Sequence, residues 1–282
     1  MMRKSVYVFL SCFLLSGCGM IDYHPYDVRI SGETEVNAHN IERIEANCQG
    51  KTTIRFVTMG DSQRWYDETE DFVKEINKRN DIDFVIHGGD MSDFGLTKEF
   101  LWQRDIMNGL NVPYVVLIGN HDCLGTGAET YKAVFGPTNF SFIAGNVKFV
   151  CLNTNALEYD YSEPVPNFTF MEQEITSRLD EFEKTVISMH ARPYTDVFND
   201  NVAKVFQHYI RQYPGIQVCT AAHTHHYQDD VIFDDGIHYV TSDCMDYRTY
   251  LVFTITPEKY EYELVKYLSL IHISEPTRPI SI

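Results

Sequence analysis

Five short apolar runs in this chain each end in a polar cluster rich in residues that ligate metals. Ile54–Met59 leads into Gly60-Asp61-Ser62-Gln63, and Phe84–His87 into Gly88-Gly89-Asp90. Residues 114–118 lead into Gly119-Asn120-His121-Asp122. Residues 185–189 lead into His190-Ala191-Arg192-Pro193, and 217–222 into His223-Thr224-His225. The runs are short and rich in β-branched and aromatic side chains, so each reads as a buried strand. In layered α/β folds, functional groups collect at the carboxyl ends of strands. Five strands delivering Asp, Asn or His at the same end point to one convergent metal site.

The rest of the chain bounds what that site can serve. With 44% hydrophobic residues in 282, it can bury a substantial core. A formal charge of -17 argues against a basic nucleic-acid-binding surface, and no nucleic-acid partner is expected. It leaves room for a small phosphorylated substrate, because bound divalent cations reverse the local charge.

The N-terminus opens with Met1-Met2-Arg3-Lys4 and a short apolar stretch over residues 6–15, too short for a membrane span. Leu15-Ser16-Gly17-Cys18 follows and resembles the lipobox of bacterial lipoproteins. That resemblance implies removal of residues 1–17 as a signal peptide and lipidation of Cys18. The protein would then be lipid-anchored in the bacterial cell envelope, periplasmic or at the cell surface. No transmembrane helix is expected. Cys48, Cys123, Cys151, Cys219 and Cys244 remain, an odd number, so at least one is unpaired within the chain.

Residues 18–50 are polar and irregular and read as a tether leading into the domain, which spans 51–266. A βα rhythm then predicts strands over 54–59, 83–87 and 114–118, with helices near 65–79 and 97–109 between them. Hairpins are expected from 139–144 with 147–153, and from 231–233 with 237–241. Helices near 170–184 and 199–213 alternate with strands 185–190 and 216–222, and strands 248–256 and 260–265 close the domain. The fold class is α/β, a two-sheet β-sandwich flanked by helices. Residues 267–282 break the pattern and resemble translated sequencing-adapter sequence, so they are expected to be a non-native tail.

Asp, Asn and His together form a mixed oxygen and nitrogen ligand set that suits Mn, Fe or Zn better than a soft, thiolate-preferring ion. Two such ions about 3.5–4 Å apart can clamp a phosphoryl group. Asp61-x-Gln63, Gly89-Asp90, Gly119-Asn120-His121-Asp122, His190 and His223-x-His225 stand in the order and rough spacing of the calcineurin-like metallophosphoesterases. From about residue 53 to 255 the chain resembles that family. The resemblance implies a helix-flanked sandwich, two divalent metal ions, and hydrolysis of phosphomonoesters or phosphodiesters by a metal-bridging hydroxide. It gives one metal to Asp61, Gln63, Asp90 and His225, and the second to Asn120, His190 and His223 with Asp90 as the bridge. It makes His121 the acid facing the phosphate and Asp122 the carboxylate that orients it. Arg192 stands two residues after His190, where a guanidinium could reach a phosphate oxygen; an ion pair is the other reading.

Two positions depart from the family pattern: Gln63 where His is common, and Ala222 where Gly is. A Gln amide oxygen is a weaker, neutral ligand, so the first metal is expected to bind loosely. The alternative reading is a non-catalytic phospholigand-binding lipoprotein with a weakened metal site; a nuclease is a third, disfavoured by the charge. His87 reads as a buried supporting histidine, His226 as facing away from the site, and Asp93 as a turn cap. The substrate and the oligomeric state are not specified by these residues.

Overall fold

The computed structural model describes residues 24–159 and 162–268, so Cys18, the signal peptide and the tail from 269 lie outside the described residues. Strands β1 (Ile54–Met59), β2 (Phe84–His87) and β3 (Tyr114–Val116) pair in parallel. A second sheet is built from β4 (Phe140–Ala144), β5 (Val147–Leu152), β6 (Lys184–Met189), β7 (Ile216–Ala221), β8 (Gln228–Asp230) and β9 (Tyr239–Thr241). There β5, β6, β7 and β9 run parallel, so their carboxyl ends share one edge. The chain then returns to the first sheet with β10 (Thr249–Ile255) and β11 (Tyr260–Lys266), antiparallel beside β1.

Strand alternation builds the layers. Phe56, Phe84, Ile86, Phe149 and Phe253 point into the space between the sheets. Their neighbours Val57, Val85 and Val150 point outward beneath the helices. Both faces are covered, which is why these strands read as continuous apolar runs. The inter-sheet core is aromatic: Phe84 meets Phe149 edge-on at 5.1 Å and stacks on Phe56 at 5.6 Å. Each such pair adds about 0.5–1.5 kcal/mol beyond the area it buries.

Four helices cover the first sheet: α1 (Val36–Cys48), α2 (Tyr66–Ile76), α3 (Thr97–Met107) and α4 (Gly127–Val134). Phe72, Phe100 and Val134 seal its outer face. Helices α5 (Phe168–Thr176) and α6 (Ala203–Ile210) cover the second sheet through Met171, Phe206 and Ile210. The α/β two-sheet architecture agrees with the sequence reading. Among the described residues no helix is long and apolar enough to cross a membrane, and the five described cysteines are unpaired.

The details correct that reading in four places. Residues 36–48, read as part of a tether, form α1, which buries Val36, Ile44 and Cys48 and adds a polar grip. The Asn37 side chain donates to Val116 O (2.9 Å) and accepts from Val116 N (2.8 Å), so it pairs with the open edge of β3 as a strand would. Glu45 accepts from Ile143 N (2.9 Å) at the open edge of β4. Second, α5 stops at Thr176 rather than 184, because the buried Lys148 ammonium takes the carbonyls of Glu174 (2.7 Å) and Ser177 (2.8 Å). Third, β8 falls at Gln228–Asp230, and Ile232 and Phe233 pack on the outer core from a loop instead of forming a strand. Fourth, α4 occupies a stretch for which no element was expected.

Candidate metal centre

The carboxyl ends of β1, β2, β3, β6 and β7 converge, and the loops after them carry all seven proposed ligands. Asn120 Oδ1 lies 3.0 Å from both His190 Nε2 and His223 Nδ1. His190 Nε2 lies 3.5 Å from Asp90 Oδ2. On the other side, Asp61 Oδ1 is 3.5 Å from His225 Nε2. Asp61, Asp90 and His190 offer ligand atoms within 4.8 Å of one another, and all three residues are buried.

Strain marks the same residues. Asp61, Gln63, Asp90, His223 and His225 have φ of 49°, 24°, 56°, 74° and 62°. Left-handed backbone at a non-glycine residue costs on the order of 1–3 kcal/mol, and such residues persist only where their surroundings impose them. Cross-braces do so here: Asp61 N donates to Gly89 O (3.0 Å) and Gln63 N to Asp90 O (2.9 Å).

The residues fit divalent cations. Asp61 Oδ1 is buried with no hydrogen-bond partner, an arrangement that is costly for a carboxylate unless a cation satisfies it. Burial pushes the Asp61 carboxyl up to about 7; His190 opposes this and Asp90 adds to it. Burial works against charge on His190 as well, yet the Asp90 and Asp61 carboxylates and the Gly88 carbonyl hold it up at about 9. Burial alone would raise Asp90, but His190 and His121 keep it below the usual carboxylate range. The Asp90 and Asp61 carboxylates thus favour positive charge beside them, which a divalent cation would supply. His190 Nδ1 is held at 2.8 Å by Gly88 O, which leaves Nε2 for the cation.

His87 behaves as expected. Burial drops it to about 3, so it is neutral. It accepts from Gly89 N (3.2 Å) and donates to Ser62 Oγ (2.8 Å), bracing the loop before Asp90.

Two assigned roles are corrected. Asp122 does not orient His121. Its oxygens accept from the backbone N–H of Asp90 (2.9 Å), Gly119 (2.9 Å) and Ser92 (2.8 Å), tying the second and third loops together. His121 Nδ1 instead meets Asp93 O at 2.8 Å, with Asp93 Oδ1 at 3.8 Å, and Arg64 Nη2 donates to that carboxylate oxygen (2.6 Å). Asp93 is therefore no mere turn cap. Arg192 is committed elsewhere: its Nη2 donates to Gln228 Oε1 and Asp230 Oδ2, both at 2.8 Å, which is the ion-pair reading.

Gln63 is buried beside Asp90, but its Nε2 donates to Asp90 Oδ2 (3.2 Å), so ligation requires the amide to turn its oxygen inward. Asp196 escaped the sequence reading. Its Oδ1 lies 2.6 Å from His223 Nε2, fixing the tautomer that leaves Nδ1 facing Asn120. Nothing in the local sequence marks Asp196, whereas Asp93 could have been suspected from its place in the Asp90 loop. Carboxylates behind ligand histidines typically contribute about 10–100-fold in metal affinity. Asp196→Asn is expected to weaken Mn binding by about tenfold, with folding unchanged because Asp196 is 88% exposed. Calorimetric titration with Mn checks this, and unchanged affinity would mean the pair is incidental.

The family model for calcineurin-like phosphoesterases matches residues 54–227, and the chain belongs to that family. No curated protein sequence matches the chain. Among solved structures, it is similar to a dimetal phosphatase from Danio rerio, with TM-score 0.58, 11% identity, and 76% of this chain and 99% of that one covered. It is also similar to GAP50, described as the anchor in the inner membrane complex of Plasmodium, with TM-score 0.59, 11% identity, and 77% and 85% covered. The purple acid phosphatase PPD1 from yellow lupin seeds aligns with TM-score 0.57 and 14% identity over 77% of this chain but 52% of its own. At these identities the likeness shows the fold.

Proposed function

We propose that the protein is a metal-dependent phosphoesterase that hydrolyses a small phosphomonoester or phosphodiester while tethered to the bacterial envelope through Cys18. The observation that carries this is the convergence of the buried Asp61, Asp90 and His190 with the half-buried Asn120 and His223, with one Asp61 oxygen left unpartnered. Asp61, Gln63, Asp90 and His225 would hold one divalent ion, and Asp90, Asn120, His190 and His223 the other. When bound, the ions supply Lewis-acid stabilisation of phosphoryl charge and lower the pKa of a water nucleophile. Mn, Fe and Zn all suit this donor set.

His121 acts on the leaving group. Its Nδ1 is engaged by the Asp93 carbonyl, so Nε2 is the ring atom left to protonate the departing oxygen. Asp122 holds the Asp90 and Gly119 backbones, and through them the ligand loops. Turnover of aryl and alkyl phosphates by the Mn-loaded protein tests the proposal; no turnover of either class would contradict it. His121→Ala is expected to keep its metal and lose about 10²–10⁴-fold on an alkyl phosphate. Its loss on 4-nitrophenyl phosphate, whose leaving group needs little protonation, should be much smaller. Equal losses on the two substrates would remove the acid role.

One observation favours a second reading, a phospholigand-binding protein without turnover. The Gln63 amide donates to Asp90 Oδ2, so a neutral donor stands where that carboxylate would face the first cation. Gln63→His is expected to tighten the first ion; a variant that gains turnover only then would support that reading.

A further inference from the structure

Exposed apolar side chains gather where the chain enters the domain. Phe94, Leu124 and Tyr26 are 56%, 38% and 37% exposed. Backbone contacts bring them together. Gly95 packs so tightly on the Leu124 backbone that a Cβ there would stand 2.8 Å from the Leu124 carbonyl carbon. Thr126 Oγ1 donates to Tyr26 O (2.7 Å), and Thr97 Oγ1 donates to Asp27 O (3.0 Å). The same patch rims the metal centre: Phe94 follows Asp93, whose carbonyl holds His121, and Leu124 N donates to His121 O (3.2 Å).

The sequence outside the described residues says what covers this patch. Cys18 stands only eight residues before Tyr26, so even a fully extended chain places it at most about 29 Å away. An acyl chain on Cys18 would keep this end of the domain near the membrane. We infer that Tyr26, Phe94 and Leu124 form a docking surface for the lipid bilayer that carries the Cys18 anchor. The inference rests on the proposed lipidation.

Interfacial burial of aromatic and leucine side chains is favourable, and an apolar contact beside the anchor would orient the tethered domain on the bilayer. The chain's charge of -17 disfavours electrostatic attraction to anionic lipid as the driving force, and the three side chains offer an apolar contact instead. Docked this way, the domain holds the His121 side of its metal centre near the bilayer.

Tryptophan quenching tests the surface. The full chain is produced in a bacterial host, its N-terminal peptide is weighed for acylation of Cys18, and the protein is reconstituted into phosphatidylcholine vesicles with brominated acyl chains. Phe94→Trp adds a reporter on the patch. Leu179→Trp adds one on the outer side of the second sheet, where Leu179 is 47% exposed. Relative to the parent, with its two tryptophans, the emission added at position 94 is expected to fall roughly twofold, as for a side chain 5–10 Å into the interface. The emission added at position 179 is expected to stay. Acylated, vesicle-bound protein with unquenched position 94, or with both positions quenched alike, would overturn the docking surface. An unacylated Cys18 would overturn the anchor and the docking surface with it. Neither readout depends on turnover, so the result is separate from the fate of the phosphoesterase reading.

Discussion

Asp90→Asn is expected to empty both cation positions and lower phosphoesterase turnover by at least about 10³-fold. Asp90 is the one residue shared by the two proposed ligand sets. Its Oδ2 faces His190 Nε2 at 3.5 Å and Gln63 Nε2 at 3.2 Å, while its Oδ1 accepts from His121 N at 2.9 Å. Asparagine keeps the shape and the Oδ1 acceptor, so the fold and the His121 backbone stay in place. It loses the negative charge that would balance the two cations. The loss therefore belongs to metal binding rather than folding. Metal content with and without chelator, beside thermal melts in chelator, checks this. A folded variant that still holds two ions would show that Asp90 is not the bridge.

Gly119→Ala should have the second-largest effect, and it works through space. A Cβ at position 119 would stand 2.7 Å from Cγ of Asp90, with the backbone nitrogen of the same residue also inside contact distance. Gly119 cannot retreat, because its N–H donates to the buried Asp122 carboxylate (2.9 Å). The added methyl must displace Asp90. Overpacking of this kind costs about 1–3 kcal/mol, and the displacement should remove metal binding as completely as Asp90→Asn does. A double-mutant cycle assigns the cause. In chelator, Asp90→Gly with Gly119→Ala should recover only the part of the stability lost to the Asp90 side chain, because its backbone nitrogen still crowds the methyl. No recovery would place the strain elsewhere.

Much of this site is legible in the sequence because its ligands sit at the ends of buried strands. Ile54–Met59 and Phe84–His87 carry an apolar signal on both faces, and the polar residues that follow stand out against it. The supporting residues carry no such signal. Asp196 is an exposed aspartate in a loop, in a chain with 40 acidic residues, and only the folded chain places it on His223. Asp122 and Asp93 are both close to His121 in space, and which one meets its ring is decided by loop path. The backbone N–H groups of Asp90, Ser92 and Gly119 claim Asp122 first. Arg192 reads equally well as a phosphate contact or an ion pair until β8 supplies Gln228 and Asp230. Helix α1 is hidden for a related reason. It binds the edges of β3 and β4 through Asn37 and Glu45, so the apolar periodicity that reveals other helices is weak in it.

Metal stoichiometry tests the central claim most directly. Protein purified without chelator, reconstituted with Mn and analysed by elemental mass spectrometry is predicted to hold two ions per chain. The ion on the Asn120, His190 and His223 side should fill first, because Gln63 must break its hydrogen bond to Asp90 to serve the other. A folded protein that holds no ion at all would contradict the account.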